Sequence, residues 1–141
     1  GRDYANKLDL PMAIIDKHRP QANVSEVKSI IGRNNIVDRD VLIFDDMIDT
    51  AGTICNAAEA LKAEGAKEIY ALASHGVLSG KALERLEAAP IKEIVITNTI
   101  SHPPDTLIDK IKVLDVAPFL AKALDRIHRH SSVSALFRNE A

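Results

Sequence analysis

Short apolar runs alternate with longer segments of mixed polarity along most of this chain. Pro11 to Ile15, Val41 to Phe44, Glu68 to Ala73, Glu93 to Asn98 and Ile111 to Leu114 have strand length and predict β-strands. Helical stretches lie between them. Thr53 to Glu64 stops at Gly65, a residue suited to ending a helix. Ser79 to Ala88 opens on a good N-capping side chain and halts before Pro90. Val116 to His128 sets Phe119, Leu120, Ala123, Leu124 and Ile127 on one face. Strands and helices in this alternation predict an α/β fold, a doubly wound and mostly parallel sheet flanked by helices. No repeat, low-complexity tract or linker interrupts the pattern.

The beginning departs from that pattern. Gly1 to Leu8 reads as the tail of a helix, whereas a doubly wound sheet places a strand and a loop before such a helix. Residues 1–141 are therefore expected to be one domain cut from a longer protein. At 141 residues the chain can bury about two-thirds of its unfolded surface. A net charge of −2 supplies no basic field for nucleic acid, and no apolar stretch is long enough for a membrane span. The single cysteine, Cys55, has no partner for an internal disulfide and reads as a packing thiol. Cysteine usage of this kind points to a reducing, cytoplasmic setting.

The chemistry concentrates in the run Val41-Leu42-Ile43-Phe44-Asp45-Asp46-Met47-Ile48-Asp49-Thr50-Ala51-Gly52-Thr53. An apolar strand is followed by two carboxylates, then a small-residue loop, then a helix. The first turn of a helix leaves backbone N–H groups unpaired at the positive end of its dipole, which favours a phosphate. Thr50 and Thr53 add hydroxyls, and Gly52 lets the backbone come close to an anion. Asp45 and Asp46 would repel that anion if they faced it, and make better sense as acceptors for sugar hydroxyls. Capping alone would explain one Asp or Thr here, and paired aspartates also suit Mg²⁺. The combination favours a sugar phosphate.

The run resembles the phosphoribosyl diphosphate (PRPP) loop of the type I phosphoribosyltransferase superfold. Its stretch from Asp45 to Thr53 is closer still to the ribose-phosphate pyrophosphokinases, which make PRPP. The resemblance implies that Asp45 and Asp46 take the ribose hydroxyls and that Asp49, Thr50, Ala51, Gly52 and Thr53 complete the ribose 5-phosphate site. It also implies a C-terminal half of a two-domain enzyme, lacking the pyrophosphate loop and most of the ATP site.

A second constellation lies at Ile14-Ile15-Asp16-Lys17-His18-Arg19-Pro20. In extended chain Lys17 and Arg19 point the same way and could meet one anion. The segment onward to Gly32 reads partly as a long exposed loop, and a solvated charged edge would explain Lys-x-Arg by itself. With Ala22-Asn23-Val24-Ser25-Glu26-Val27 after it, the segment resembles the flexible catalytic loop of the pyrophosphokinases. That makes Lys17 and Arg19 the expected catalytic pair, stabilising charge as the β-phosphorus of Mg-ATP is attacked and AMP leaves. Gln21, where a basic residue is common, and the longer Arg33 to Asp40 stretch depart from the pattern without touching either motif.

The remaining signals are weaker. His75, beside Gly76, is expected to line the site, and Thr97, Asn98 and Thr99 end a strand at the ligand-binding face of an α/β sheet. His102-Pro103-Pro104 reads as a stiff turn, and His128 to His130 as charge suited to a helix end. Ser132, Val133, Ser134 and Phe137 match the tail that in these enzymes forms an allosteric site for phosphate or ADP; a docked apolar tail is an equal reading. The resemblance implies ATP and Mg²⁺ as co-substrate and cofactor, with no metal ligand in this portion. It implies a homo-oligomer, hexameric in the family, of which this portion could retain the dimer contact. Two other functions compete. One is a non-catalytic, synthetase-associated regulatory subunit, disfavoured by intact Lys17, Arg19 and the Asp45 to Thr53 run. The other is a phosphoribosyltransferase that consumes PRPP, disfavoured by the Lys-x-Arg-Pro loop and the tail.

Overall fold

The computed structural model describes residues 1–21 and 24–137, with the side chains of 16–29 and 104 outside that description. Helix α1 (Arg2–Leu8) leads to strands β1 (Ile14–Gln21) and β2 (Val24–Ile31), then to β3 (Val41–Ile48) and helix α2 (Gly52–Ala63). Strand β4 (Ile69–Gly76), helix α3 (Ala82–Ala88), strands β5 (Glu93–Thr97) and β6 (Ile111–Leu114) and helix α4 (Ala117–His128) complete the order. A short 3-10 turn, Val133–Phe137, follows α4.

Strands β3 to β6 form a four-stranded parallel sheet in the order β3-β4-β5-β6. Parallel neighbours need a crossover, and α2 and α3 supply the first two. Registers Ile43↔Ala71, Ala71↔Ile94 and Ile94↔Ile111 align one sheet face, where β-branched residues alternate with alanines. That face joins one buried cluster with Ile54, Ala58 and Leu61 of α2 and Ala82 and Leu86 of α3. The opposite face carries Leu42, Phe44, Leu72, Val95 and Leu114, with Leu42 and Leu114 exposed. Tyr4 of α1 packs on Phe44 of that face, ring centroids 4.4 Å apart.

The α/β class and the parallel, helix-flanked sheet match the sequence expectation, but the first strand does not. Instead of Pro11 to Ile15 in the main sheet, β1 begins at Ile14 and pairs antiparallel with β2 in a separate two-stranded sheet. The expected long exposed loop is therefore largely a β-hairpin. Charged side chains from Asp16 to Arg19 hide its strand character in the sequence, while Val24, Val27, Ile30 and Ile31 supply β-branched residues on the returning arm. Pro20 falls where the register shifts between His18 and Gln21, the kind of irregularity that tolerates a proline. The hairpin packs on α2 through β2, and buried Ile30 joins the main core.

Helix ends also shift. α3 starts at Ala82 with Lys81 at its N-cap, three residues later than expected. At its other end the ammonium of Lys110 donates to the carbonyls of Glu87 (2.6 Å), Ala89 (3.1 Å) and Leu86 (3.4 Å), satisfying groups that the helix leaves unpaired.

Candidate phosphosugar site

Strand β3 runs to Ile48, past the expected end at Phe44, so Asp45 and Asp46 lie inside it rather than beyond it. Consecutive strand residues face opposite ways, and accordingly Asp45 is half-buried while Asp46 is exposed. The Asp45 carboxylate accepts a hydrogen bond from the Asp46 backbone amide at 2.9 Å.

The chain then turns sharply. Ala51 stands at the N-cap of α2 with φ 62° and ψ −1°, left-handed backbone that alanine adopts at a cost, and it is buried. It makes no side-chain capping bond, so the first turn of α2 presents amide donors without the usual Ser, Thr or Asp oxygen over them. Gly52 follows as the first helical residue. Its φ lies outside the left-handed region, and a Cβ placed there would meet nothing nearer than Arg85 Nη1 at 3.7 Å and Thr50 Oγ1 at 4.0 Å. Neither backbone nor packing requires glycine at this position. A side-chain carbon there would be in ordinary van der Waals contact with Arg85 and Thr50.

The β4–α3 connection holds this turn in place. Val77 N–H and Leu78 N–H donate to the Ile48 carbonyl at 2.9 and 3.0 Å, and Ser79 N–H to the Asp49 carbonyl at 3.1 Å. Ser79 Oγ donates to the Asp49 carboxylate at 2.5 Å, and Arg85 Nη1 to the Thr50 carbonyl at 2.8 Å. Ser79, expected to cap a helix, instead holds the loop. Arg85 carried no signal in the sequence, because only the fold brings α3 to the start of α2.

The ends of β4 and β5 form a polar rim. His75 Nδ1 is 2.8 Å from Thr99 Oγ1, Thr97 Oγ1 donates to the Ser74 carbonyl at 2.5 Å, and His102 Nε2 lies 2.6 Å from the Gly76 carbonyl. Histidines bonded in this way fit a lining role for His75 and a structural one for His102. Asn98 bridges β5 to α4, donating to Asp115 Oδ1 at 2.6 Å and accepting from Val116 N–H at 3.0 Å. The Ala117 amide and the Asn98 side chain together hold the Asp115 carboxyl below the ordinary value.

The backbone of Lys17 and Arg19 lies in β1, with Lys17 opposite Val27; their side chains lie outside the described residues. Cys55 is buried in α2, and burial, reinforced by Glu59, pushes its thiol pKa up, which suits packing rather than nucleophilic chemistry. At the other end of the chain, Ser132 Oγ is 2.8 Å from Ser134 Oγ, and Phe137 packs edge-on against Phe119 at 5.5 Å. The described part of the tail thus folds onto α4. Among the described residues no group of three or more His, Cys, Asp or Glu could hold a metal ion, and no helix is long and apolar enough to cross a membrane.

Comparison with known proteins reaches the same region of chemistry. The Phosphoribosyl synthetase-associated domain family matches residues 2–138. The ribose-phosphate pyrophosphokinase of Caldanaerobacter subterraneus subsp. tengcongensis is 58% identical over 137 residues, covering 97% of this chain and 43% of that protein. The Clostridium acetobutylicum ribose-phosphate pyrophosphokinase is 57% identical over 139 residues, covering 99% of this chain and 43% of the relative. Among solved structures, phosphoribosylpyrophosphate synthetase from Mycobacterium smegmatis superposes with a TM-score of 0.78 at 30% identity, over 92% of this chain and 41% of that one. The chain thus spans less than half the length of these relatives.

Proposed function

The chain belongs to the phosphoribosyl synthetase-associated domain family, and we propose that it is the C-terminal domain of a ribose-phosphate pyrophosphokinase. The observation that carries the reading is Gly52, a glycine that neither the backbone nor the packing demands, at the uncapped N-terminus of the helix after Asp45 and Asp46. A 5-phosphate seated on the first turn of α2 makes use of both features. Asp45 and Asp46 are the candidate acceptors for the ribose hydroxyls, although strand alternation sets their side chains on opposite faces of β3, while Asp49 to Thr53 enclose the phosphate. Relatives named as pyrophosphokinases at 57–58% identity favour the catalytic reading over a purely regulatory subunit.

The reaction joins the ribose 1-hydroxyl to the β-phosphorus of ATP, with AMP leaving. Its central demand is stabilisation of charge on non-bridging oxygens, which Lys17 meets as a mobile point charge and Arg19 as a planar fork. Closure of the β1–β2 hairpin would bring these cations over the sugar phosphate and exclude water. Mg²⁺ suits this chemistry because it is commonly held by one or two carboxylates together with substrate phosphates. It would neutralise charge on ATP when bound; the described residues supply no cage of their own for it. We place the protein in the cytoplasm as a homo-oligomer, with Ser132, Val133, Ser134 and Phe137 forming an effector site for phosphate or ADP. Turnover requires the ATP-binding portion that lies outside residues 1–141.

Calorimetric titration with ribose 5-phosphate tests the site. The wild-type chain is expected to bind, and the Asp45→Ala, Asp46→Ala double variant to lose binding. Gly52→Ala is expected to weaken binding about tenfold while leaving the thermal midpoint unchanged or raised, because alanine favours helix over glycine. Equal affinity in wild type and in the Asp45→Ala, Asp46→Ala variant would sink the reading.

A further inference from the structure

We propose that Arg85, assisted by Ser79, is a positioning residue that fixes which way the Thr50–Ala51 peptide faces, so that its amide and not its carbonyl meets a phosphomonoester. This rests on the sugar-phosphate reading of the loop. The Arg85 guanidinium donates to the Thr50 carbonyl at 2.8 Å. A peptide is planar and trans, so the N–H of Ala51 points opposite to that carbonyl and away from Arg85. Ala51 is left-handed and Gly52 begins the helix, a sequence of conformations that turns successive N–H groups toward one concavity suited to an anion.

The alternative orientation would direct the Thr50 carbonyl, a partial negative charge, at the ligand. Alanine in left-handed backbone supplies no preference strong enough to prevent such a flip, since the conformation itself is disfavoured for a residue with a Cβ. The preference must come from partners. Ser79 secures the residue before the peptide through both its amide and its hydroxyl on Asp49, and Arg85 secures the peptide itself. Arg85 is exposed and belongs to α3, which makes its bond to a loop carbonyl 35 residues earlier in the chain a tertiary feature rather than a cap. A guanidinium at this place also offsets the negative end of the carbonyl dipole while the ligand occupies the amide side.

The test compares wild type with Arg85→Met, Arg85→Lys and Ser79→Ala, using amide hydrogen exchange without ligand and titration with ribose 5-phosphate. In Arg85→Met we expect exchange at Cys55 and Ser79, whose amides donate to the Ala51 and Asp49 carbonyls, to rise about tenfold, exchange in the β4 and β5 core to stay unchanged, and affinity for ribose 5-phosphate to fall about tenfold. Arg85→Lys should recover part of both losses, since an ammonium can reach the same carbonyl with one bond. Wild-type binding with undiminished affinity in Arg85→Met and Ser79→Ala overturns this inference and leaves the sugar-phosphate reading standing. No binding by wild type overturns both. If Arg85→Met loosens the whole core, Ser79→Ala decides: unchanged loop exchange and affinity in that variant overturn the proposal, and local loosening with weaker binding supports it.

Discussion

Helices α2 and α4 are each twelve residues long and follow directly on strands of the parallel sheet, yet they stand in opposite situations. α2 buries Ile54, Cys55, Ala57, Ala58 and Leu61 between the sheet and the hairpin. α4 buries none of its residues: Leu120, Leu124 and Ile127 remain 54%, 67% and 59% exposed, and its packing partner is the turn Val133–Phe137. Both sequences are amphipathic. An apolar stripe therefore states that a helix has a face to cover, while the sheet order decides whether anything in the chain covers it. The helix that carries the proposed site is the one locked into the core, which suits a loop that must hold its amides in fixed directions.

The sharpest way to break that contrast is a matched truncation. Leu61→Ala in α2 removes a 2% exposed side chain and should cost about 2–5 kcal/mol in denaturant unfolding. Leu124→Ala in α4 should change stability by no more than about 0.5 kcal/mol. Comparable losses would mean that the apolar face of α4 is covered in solution. A smaller effect is expected on the side of the sheet nearest the site. A Cβ on Gly76 would stand 2.6 Å from Ile96 Cδ1, with the rest of that fully buried side chain at 3.3 to 3.4 Å. Gly76→Ala should therefore overpack the ends of β4 and β5 and cost about 1–3 kcal/mol, read as a lower unfolding midpoint.

The least of the three concerns the attachment of α4. Asp115, held below its ordinary 3.8 by the Ala117 amide and by Asn98, favours the folded state when ionised. That contribution is complete above the unfolded value and is lost as pH falls through the lower folded value. Protection of the Ala117 and Val116 amides, taken relative to intrinsic exchange at each pH, should fall in wild type over that acid range. In Asp115→Asn, which has no carboxylate to protonate, that loss of protection should be absent.

The parallel sheet was legible because Val41 to Phe44, Ile69 to Ala73 and Ile94 to Ile96 are apolar runs bounded by helix signals. The run from Asp45 to Thr53 stood out for another reason, since its residue types have few uses in that order; of it, Asp49 to Ala51 form the turn between β3 and α2. The hairpin was not legible, because its outgoing arm is charged and a strand paired away from the main core need not alternate. The extension of β3 to Ile48 was missed as well: Asp45 and Asp46 depress strand propensity, and parallel pairing with Ala73 and His75 overrides it. Ser79 and Arg85 were beyond reach, since they act on the loop only after two crossovers bring α3 beside α2.

The contact between Tyr4 and Phe44 has a practical consequence. The chain contains no tryptophan and two tyrosines, so its ultraviolet emission comes from Tyr4 and Tyr70. Tyr4 rests on the residue immediately before Asp45, while Tyr70 lies under the ammonium of Lys92, 5.7 Å from its ring centroid. With no indole to mask it, the Tyr4 ring is a native optical probe of the packing of α1 on the sheet at Phe44, next in sequence to Asp45, and loss of that contact can be followed without a label.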